Sequence, residues 1–269
     1  MNKKYFFLYQ DWKFYFCFIR VKILLKGFFI SNMKREDILK PYYSRFTKDS
    51  EIKSRDIGEE ISKNGDLDTT FKTGTTTVGL TCKDAVILGA DKRATMAYFV
   101  ASKTSKKIHI IQDHLAMTIA GSVADAQYLV DVLRAETSLY QLEKDGKPIP
   151  VKSAGKLLAN ILYRSKMFPY QVGHIMGGMT EEEGPVILDI GAYGSILPEK
   201  YCAVGSGQNF SYGVLEAKYK EDLSVNEGKE IVKKAVTSSI IRDMASGNGI
   251  DIVVIKKQGA PEREFIPIK

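Results

Sequence analysis

The chain has 269 residues, 44% of them hydrophobic and 26% charged, which is typical of a globular protein rather than a disordered one. Its net charge is +7, but residues 1–74 carry 15 Lys and Arg against 10 Asp and Glu, which leaves 24 against 22 for residues 75–269. Because the main body is close to neutral, the counts do not favour nucleic-acid binding. The three cysteines indicate free thiols in a reducing, cytoplasmic compartment rather than a disulfide framework.

The first 74 residues differ in composition from the rest and are interpreted as a leader. Residues 1–32 are rich in aromatic and basic residues, but Lys13 and Arg20 interrupt them, so no run of about 18 uncharged residues could span a membrane. We expect translation to start at Met33, with residues 1–32 as an upstream extension; a helix that contacts lipid is the alternative. Residues 34–73 are polar and charged and predict a flexible pro-segment.

From Thr75 the pattern predicts one domain over residues 75–257 that begins with two hairpins. Their four strands are predicted over Thr76–Thr81, Ala85–Ala90, Lys107–Ile111 and Leu115–Ala120. Apolar residues at helical spacing then predict two helices, one through Ala126, Leu129, Val130 and Leu133 and one through Ala154, Leu157, Leu158, Ile161 and Leu162.

Three further strands, two helices and a closing strand complete the predicted domain. The strands are predicted over Val172–Met179, Val186–Ile190, Tyr201–Val204 and Ile250–Ile255, and the helices start near Gly207 and after Asn226. Strands followed by paired helices, twice over, predict a layered α+β domain rather than a doubly wound parallel sheet. Residues 258–269 are polar and are expected to form an irregular tail.

A glycine followed by a threonine, Gly74-Thr75, stands at the head of the first predicted strand. A threonine hydroxyl is a weak nucleophile at neutral pH and needs a neighbouring base. Cleavage before Thr75 would free an α-amino group, with an unperturbed pKa of about 8, to act as that base. Since Gly74 has no Cβ, the hydroxyl can approach the preceding carbonyl for self-cleavage by an N→O acyl shift. The pattern therefore predicts a nucleophile that exists only after the chain is cut.

The same chemistry calls for a positive charge beside the nucleophile. Lys107 is the leading candidate because it precedes a strand expected to lie beside the first, and Asp91 could hold it protonated through an ion pair. Lys103, Lys106 and Asp84 satisfy this reasoning almost as well, so the residues alone leave the assignment open. The three histidines lack metal-ligand spacing, and we expect neither a metal nor a cofactor.

A series of ordered blocks in residues 74–257 resembles proteasome β subunits, closest to the archaeal type. The blocks are Gly74–Leu80, Lys83–Val86, Ala90–Thr95, Ser105–Ile108, Met117–Gln127, Gly205–Gly207, Tyr212–Glu216 and Arg242–Gly247. A lone Gly-Thr step would carry little weight, whereas blocks in this order and at family spacing are a specific signal. The resemblance implies a four-layer αββα sandwich of the N-terminal-nucleophile hydrolase type, with two antiparallel sheets between helix pairs.

The resemblance also implies a threonine endopeptidase that acts on unfolded proteins after autocleavage between Gly74 and Thr75. The residues that match the family's catalytic set are Thr75, Asp91, Lys107, Gly121, Ser206, Asp243 and Ser246. Among these, Thr75 matches the nucleophile, its freed amine the base, and the Gly121 amide the oxyanion donor. Positions that match the substrate-binding residues are Ala94, Thr95, Ile119 and Val123. Thr95, with Gly121, matches positions that pair with an extended substrate as an added strand. The other three match the wall of the pocket for the residue before the cut, and their apolar character implies a preference for apolar side chains there.

The implied partners are proteasome α subunits and other β subunits in stacked heptameric rings, with an ATP-dependent unfoldase as feeder. The alternative within the family is a non-catalytic or partner-dependent structural β subunit. The bacterial two-component peptidase of the same superfamily is disfavoured by the blocks around Asp91 and Ser246. Without the resemblance, Thr75 would be interpreted as an ordinary strand residue and Asp91 with Lys107 as a structural ion pair.

Overall fold

Two large antiparallel sheets, each covered by a helix pair, and one small two-stranded sheet form the described part of the chain. The computed structural model describes residues 74–96, 98–257 and 259–268, so the predictions for residues 1–73 lie outside it. The strands are β1 (Thr76–Thr81), β2 (Ala85–Asp91), β3 (Ala94–Met96), β4 (Phe99–Ser102), β5 (Ile108–Gln112), β6 (Leu115–Thr118), β7 (Ala120–Gly121), β8 (Val172–Thr180), β9 (Gly184–Ile190), β10 (Ile196–Glu199), β11 (Tyr201–Gly205), β12 (Ile250–Lys256) and β13 (Glu262–Ile266). The helices are α1 (Val123–Glu143), α2 (Val151–Arg164), α3 (Gln208–Lys218) and α4 (Val225–Arg242).

The first sheet has the order β11-β1-β2-β12-β13, and the second has the order β10-β9-β8-β6-β5, with β7 paired to β8. Apolar side chains of α3 and α4 pack on the first sheet, and those of α1 and α2 pack on the second. A third apolar cluster, which includes Leu88, Ile175 and Val253, fills the space between the sheets. The four-layer αββα sandwich implied by the resemblance is therefore confirmed.

The two predicted hairpins are present. β1 and β2 pair with Thr81 opposite Val86, and the Cys82 amide closes the turn by donating to the Ala85 carbonyl at 2.8 Å. β5 and β6 pair in the same antiparallel way around the turn at residues 113–114. Since β1 lies between β2 and β11, its first residues have a neighbouring strand on each side at one end of the first sheet.

The prediction that residues 258–269 form an irregular tail is wrong. β13 pairs with β12 and adds a fifth strand to the first sheet. It is an edge strand that is mostly exposed, and its three charged residues followed by two apolar ones give neither the alternation nor the apolar run that marks a strand. The short hairpin β3–β4 was missed for a similar reason, because exposed Tyr98 and Phe99 give no burial pattern.

Candidate active site

Thr75 lies at the head of β1 and is only 4% exposed. Its backbone is held by Ser206, which accepts from the Thr75 amide at 3.1 Å and lies 3.2 Å from the Thr75 carbonyl oxygen. Its hydroxyl points to Asp91 Oδ1 as a donor at 3.4 Å, which is long for a hydrogen bond. Amide, carbonyl and hydroxyl of one threonine are thus all fixed by polar neighbours.

The Asp91 carboxylate at the end of β2 is fully buried and forms the centre of a cluster of donors. Oδ1 accepts from the Thr76 amide at 2.9 Å and from Lys107 Nζ at 2.6 Å. Oδ2 accepts from the amides of Arg93 and Gly247, both at 2.9 Å. These bonds keep a buried charge stable, since an unpaired one would be costly.

Lys107 immediately precedes β5 and is 4% exposed. Its ammonium donates to Asp91 and also to the Arg93 carbonyl. Burial lowers the pKa of Lys107 from its ordinary value, and the charge of Asp91 opposes that change. Of the candidate lysines, Lys107 is therefore the one whose ammonium bonds Asp91. Asp91 Oδ1 is shared between this bond and the contact with the Thr75 hydroxyl.

Asp243, at the carboxyl end of α4, joins the two serines of the predicted site. Its Oδ2 accepts from Ser206 Oγ and Ser246 Oγ, both at 2.6 Å. Ser246 Oγ also lies 2.7 Å from Thr76 Oγ1. A serine hydroxyl has one proton, and Ser246 gives its proton to Asp243, so Thr76 is the donor in that last bond.

The predicted substrate-binding residues lie on two segments beside this cluster. Thr95 on β3 accepts from the Gly74 amide through Oγ1 at 3.0 Å and directly follows Ala94. Ile119 donates its amide to the Lys107 carbonyl at 2.9 Å. Val123, the first residue of α1, is 48% exposed.

Gly121 lies between Ile119 and Val123 and has a φ of 122°, which favours glycine. A Cβ there would lie 2.1 Å from the Gln171 carbonyl oxygen, so a side chain has no room. Among the described residues, the hydrogen bonds of the Thr75–Asp91 cluster do not include Gly121, Ala94 or Val123. The structure thus joins six of the seven predicted catalytic residues by hydrogen bonds and places Gly121 on the neighbouring segment.

Three residues of the cluster had no role in the sequence interpretation: Thr76, Arg93 and Gly247. Arg93 donates from Nε to Asn248 Oδ1 at 2.9 Å and from Nη1 to the Met244 carbonyl at 2.8 Å, and so binds the turn that carries Ser246. All three residues lie in the blocks that resemble the family, and this position is the one sequence feature that could have indicated a role for them. Their contacts depend on side-chain direction and backbone amides, which a sequence pattern does not encode.

Among the residues that the structure describes, no group of three or more His, Cys, Asp and Glu side chains could hold a metal ion. Within the same ranges, no helix is long and apolar enough to cross a membrane.

Comparison with known proteins identifies the family. The proteasome subunit family model matches residues 71–255. The chain is 50% identical over 196 residues to proteasome subunit beta 2 of Aeropyrum pernix, which covers 73% of this chain and 88% of that protein. It is 47% identical over 187 residues to proteasome subunit beta of Methanocaldococcus vulcanius, covering 69% and 83%.

A third relative, proteasome subunit beta 2 of Nitrosopumilus maritimus, is 42% identical over 186 residues, covering 69% of this chain and 88% of the relative. The residues that the family model matches contain the whole cluster around Thr75 and Asp91. The chain therefore belongs to the proteasome family and is a β subunit of the archaeal type.

Proposed function

We propose that this chain is a catalytic β subunit of the proteasome core, a threonine endopeptidase whose nucleophile is the Thr75 hydroxyl. Its family membership implies a protease-type hydrolase within a multi-subunit particle. The observation that carries the finer proposal is the convergence on one buried threonine: Ser206 holds its backbone and Asp91 links its hydroxyl to Lys107.

Self-cleavage before Thr75 is the first step of the proposal. The Thr75 hydroxyl attacks the Gly74 carbonyl carbon, the C–N bond breaks, and the nitrogen takes the proton to become a free amine. Water then hydrolyses the resulting ester and releases the leader with a Gly74 carboxylate. The fit of Gly74 supports this step, since a Cβ there would lie 1.7 Å from the Ala245 Cβ and 3.1 Å from Thr95 Oγ1.

Peptide hydrolysis repeats this chemistry on a substrate. The freed Thr75 amine accepts the hydroxyl proton, the hydroxyl oxygen attacks the peptide carbonyl, and the proton passes to the leaving amine as the C–N bond breaks. Water then hydrolyses the resulting Thr75 ester, which releases the second product as a carboxylate and restores the hydroxyl. Lys107 supplies a fixed positive charge beside the nucleophile, which favours the developing alkoxide. The Gly121 amide is proposed to stabilise the oxyanion, and Thr95 and Gly121 to pair with an extended substrate as an added strand.

Ala94, Ile119 and Val123 are proposed to line the pocket for the side chain before the cut. Ile119 is 7% exposed and packs in the core of the second sheet, while Val123 is half exposed. Such a wall favours apolar side chains. The proposed partners are α subunits and other β subunits in stacked heptameric rings, fed with unfolded chains by an ATP-dependent unfoldase.

The test is the amino terminus of the assembled particle, measured by intact mass and terminal sequencing. We expect a mature chain that starts at Thr75 and hydrolyses peptides. Thr75→Ala should abolish both leader removal and hydrolysis, whereas Thr75→Ser, which keeps a hydroxyl, should keep both in part. An assembled, peptide-inactive particle that retains its leader would instead identify a structural subunit.

A further inference from the structure

The carboxyl-terminal strand β13 lies close to Asp91 although the family match ends before it. β13 pairs with β12 so that Phe265 is opposite Asp251 and Ile266 is opposite Ile250. On the other side of β12, Ile250 is opposite Asp91. A single residue of β12, Ile250, therefore separates β13 from Asp91 across the sheet.

Phe265 packs on the turn that precedes β12. A Cβ on Gly249 would lie 2.6 Å from the Phe265 ring and 3.0 Å from the Ile266 carbonyl oxygen, so the ring covers the Gly249 backbone directly. Asn248 and Gly249 have φ values of 66° and 111°. Two successive residues with positive φ are kept in that conformation by the contacts around them, and Phe265 makes one of these contacts.

The covered turn carries a donor to Asp91. The Gly247 amide donates to Asp91 Oδ2 at 2.9 Å, and the Gly247 carbonyl accepts from the Lys92 amide at 3.0 Å. Only Asn248 separates Gly247 from the residue under the Phe265 ring. A shift of the turn would therefore move the Asp91 donor.

A second contact joins β13 to Lys92, the residue after Asp91. The Asp251 side chain is buried and accepts from Arg263 Nε at 2.9 Å and from Lys92 Nζ at 3.3 Å. Lys92 Nζ also lies 5.7 Å from the centre of the Phe265 ring. Arg263 and Phe265 are two residues apart on a strand, so one face of β13 makes both contacts.

We propose that Arg263 and Phe265 are positioning residues for the catalytic site, which assigns a role to the carboxyl-terminal strand. They hold the Gly247–Gly249 turn and Lys92, and through these the Asp91 carboxylate, without touching the reacting atoms. The inference rests on the proposed function, because Asp91 matters to catalysis only if Thr75 is the nucleophile.

The test compares Arg263→Ala and Phe265→Ala with the matched control Glu264→Ala in the full chain assembled with its α subunits. Glu264 lies between the two residues on the other face of β13 and pairs with Lys229 at 3.1 Å. We expect kcat for peptide hydrolysis to fall about 10- to 100-fold in the two variants, with KM unchanged, because a distant mutation that misplaces catalytic groups by about 1 Å can cost about 100-fold. Glu264→Ala should match the wild type, and Arg263→Lys and Phe265→Tyr should recover most of the rate.

Amide hydrogen exchange of residues 244–249 provides a readout that does not depend on activity. Exchange should be faster in Arg263→Ala and Phe265→Ala than in Glu264→Ala, all measured per assembled particle. If either substitution blocks assembly, Arg263→Lys and Phe265→Tyr should show smaller changes in the same direction. Rates and exchange equal to those of Glu264→Ala would overturn the proposal.

A wild type no more active than Thr75→Ala would refute the proposed function, while the exchange comparison would still decide whether β13 holds the turn.

Discussion

Asp91 and Lys107 form a buried ion pair in which Oδ1 and Nζ lie 2.6 Å apart. The same oxygen lies 3.4 Å from the Thr75 hydroxyl, so one shared atom connects the pair to the proposed nucleophile. Such a pair contributes little to stability compared with two well-packed apolar residues, whereas removal of one partner leaves a buried charge. Its arrangement beside Thr75 is therefore better explained by chemistry than by stability.

Lys107→Met should lower kcat for peptide hydrolysis by at least about 100-fold, because the developing negative charge loses its fixed cation. It should also lower the free energy of unfolding by up to about 3–5 kcal/mol, since Asp91 loses a buried partner but keeps its amide donors. Lys103→Met and Lys106→Met are the matched controls and should stay near wild type in steady-state kinetics and thermal unfolding. Equal loss in all three variants would contradict the assignment of Lys107.

Thr76→Val should lower kcat about tenfold while leaving assembly intact. The valine fills the same volume but cannot donate to Ser246, whose hydroxyl then loses the bond that orients it toward Asp243. Thr137→Val is a suitable control, because Thr137 is a buried threonine on α1 within the helix core of the second sheet. Peptide hydrolysis by both variants, measured per assembled particle, separates the local effect from a general loss of buried hydroxyls.

Gly74→Ala should slow leader removal about 100-fold, since the new Cβ would occupy the space of the Ala245 Cβ. The double variant Gly74→Ala, Ala245→Gly removes the competing methyl group and should recover part of the rate. Intact mass against time after assembly measures both. If the second substitution brings no recovery, the steric explanation is wrong.

His174 should make the fold sensitive to acid. Burial lowers the pKa of His174 to about 4. Its Nδ1 bonds the Thr118 carbonyl, and its Nε2 has no partner among the described residues. The unfolded chain, with an ordinary pKa of about 6.5, binds this proton first, so stability is fully present above about pH 6.5 and falls toward pH 4 by on the order of 3 kcal/mol.

His174→Gln tests that prediction through thermal unfolding at pH 8, 6 and 4.5. The glutamine cannot take up a proton, so the variant should lose less stability than the wild type between the first and last pH. An identical loss in the two proteins would show that other groups cause the acid sensitivity.

Periodicity and turn residues were sufficient to predict the hairpins, the four helices and the layered fold. They failed for strands that are too exposed to show an apolar pattern. β13 was missed because Arg263 and Glu264 give this exposed edge strand the composition of a tail. In the site, the residues alone could not choose between Lys107 and Lys106. That choice depends on which ammonium points to Asp91, and adjacent residues in an extended segment point in opposite directions.

Three of the four donors that surround Asp91 come from other elements of the chain. Thr76 is the first residue of β1, Lys107 precedes β5, and Gly247 lies 156 residues beyond Asp91. The carboxylate can be fully bonded only after the polypeptide has been synthesised past Gly247 and the segments that carry these donors have come together. Under the proposed mechanism, leader removal would then report the folding of this site, and a chain terminated before Gly247 would keep its leader and stay inactive.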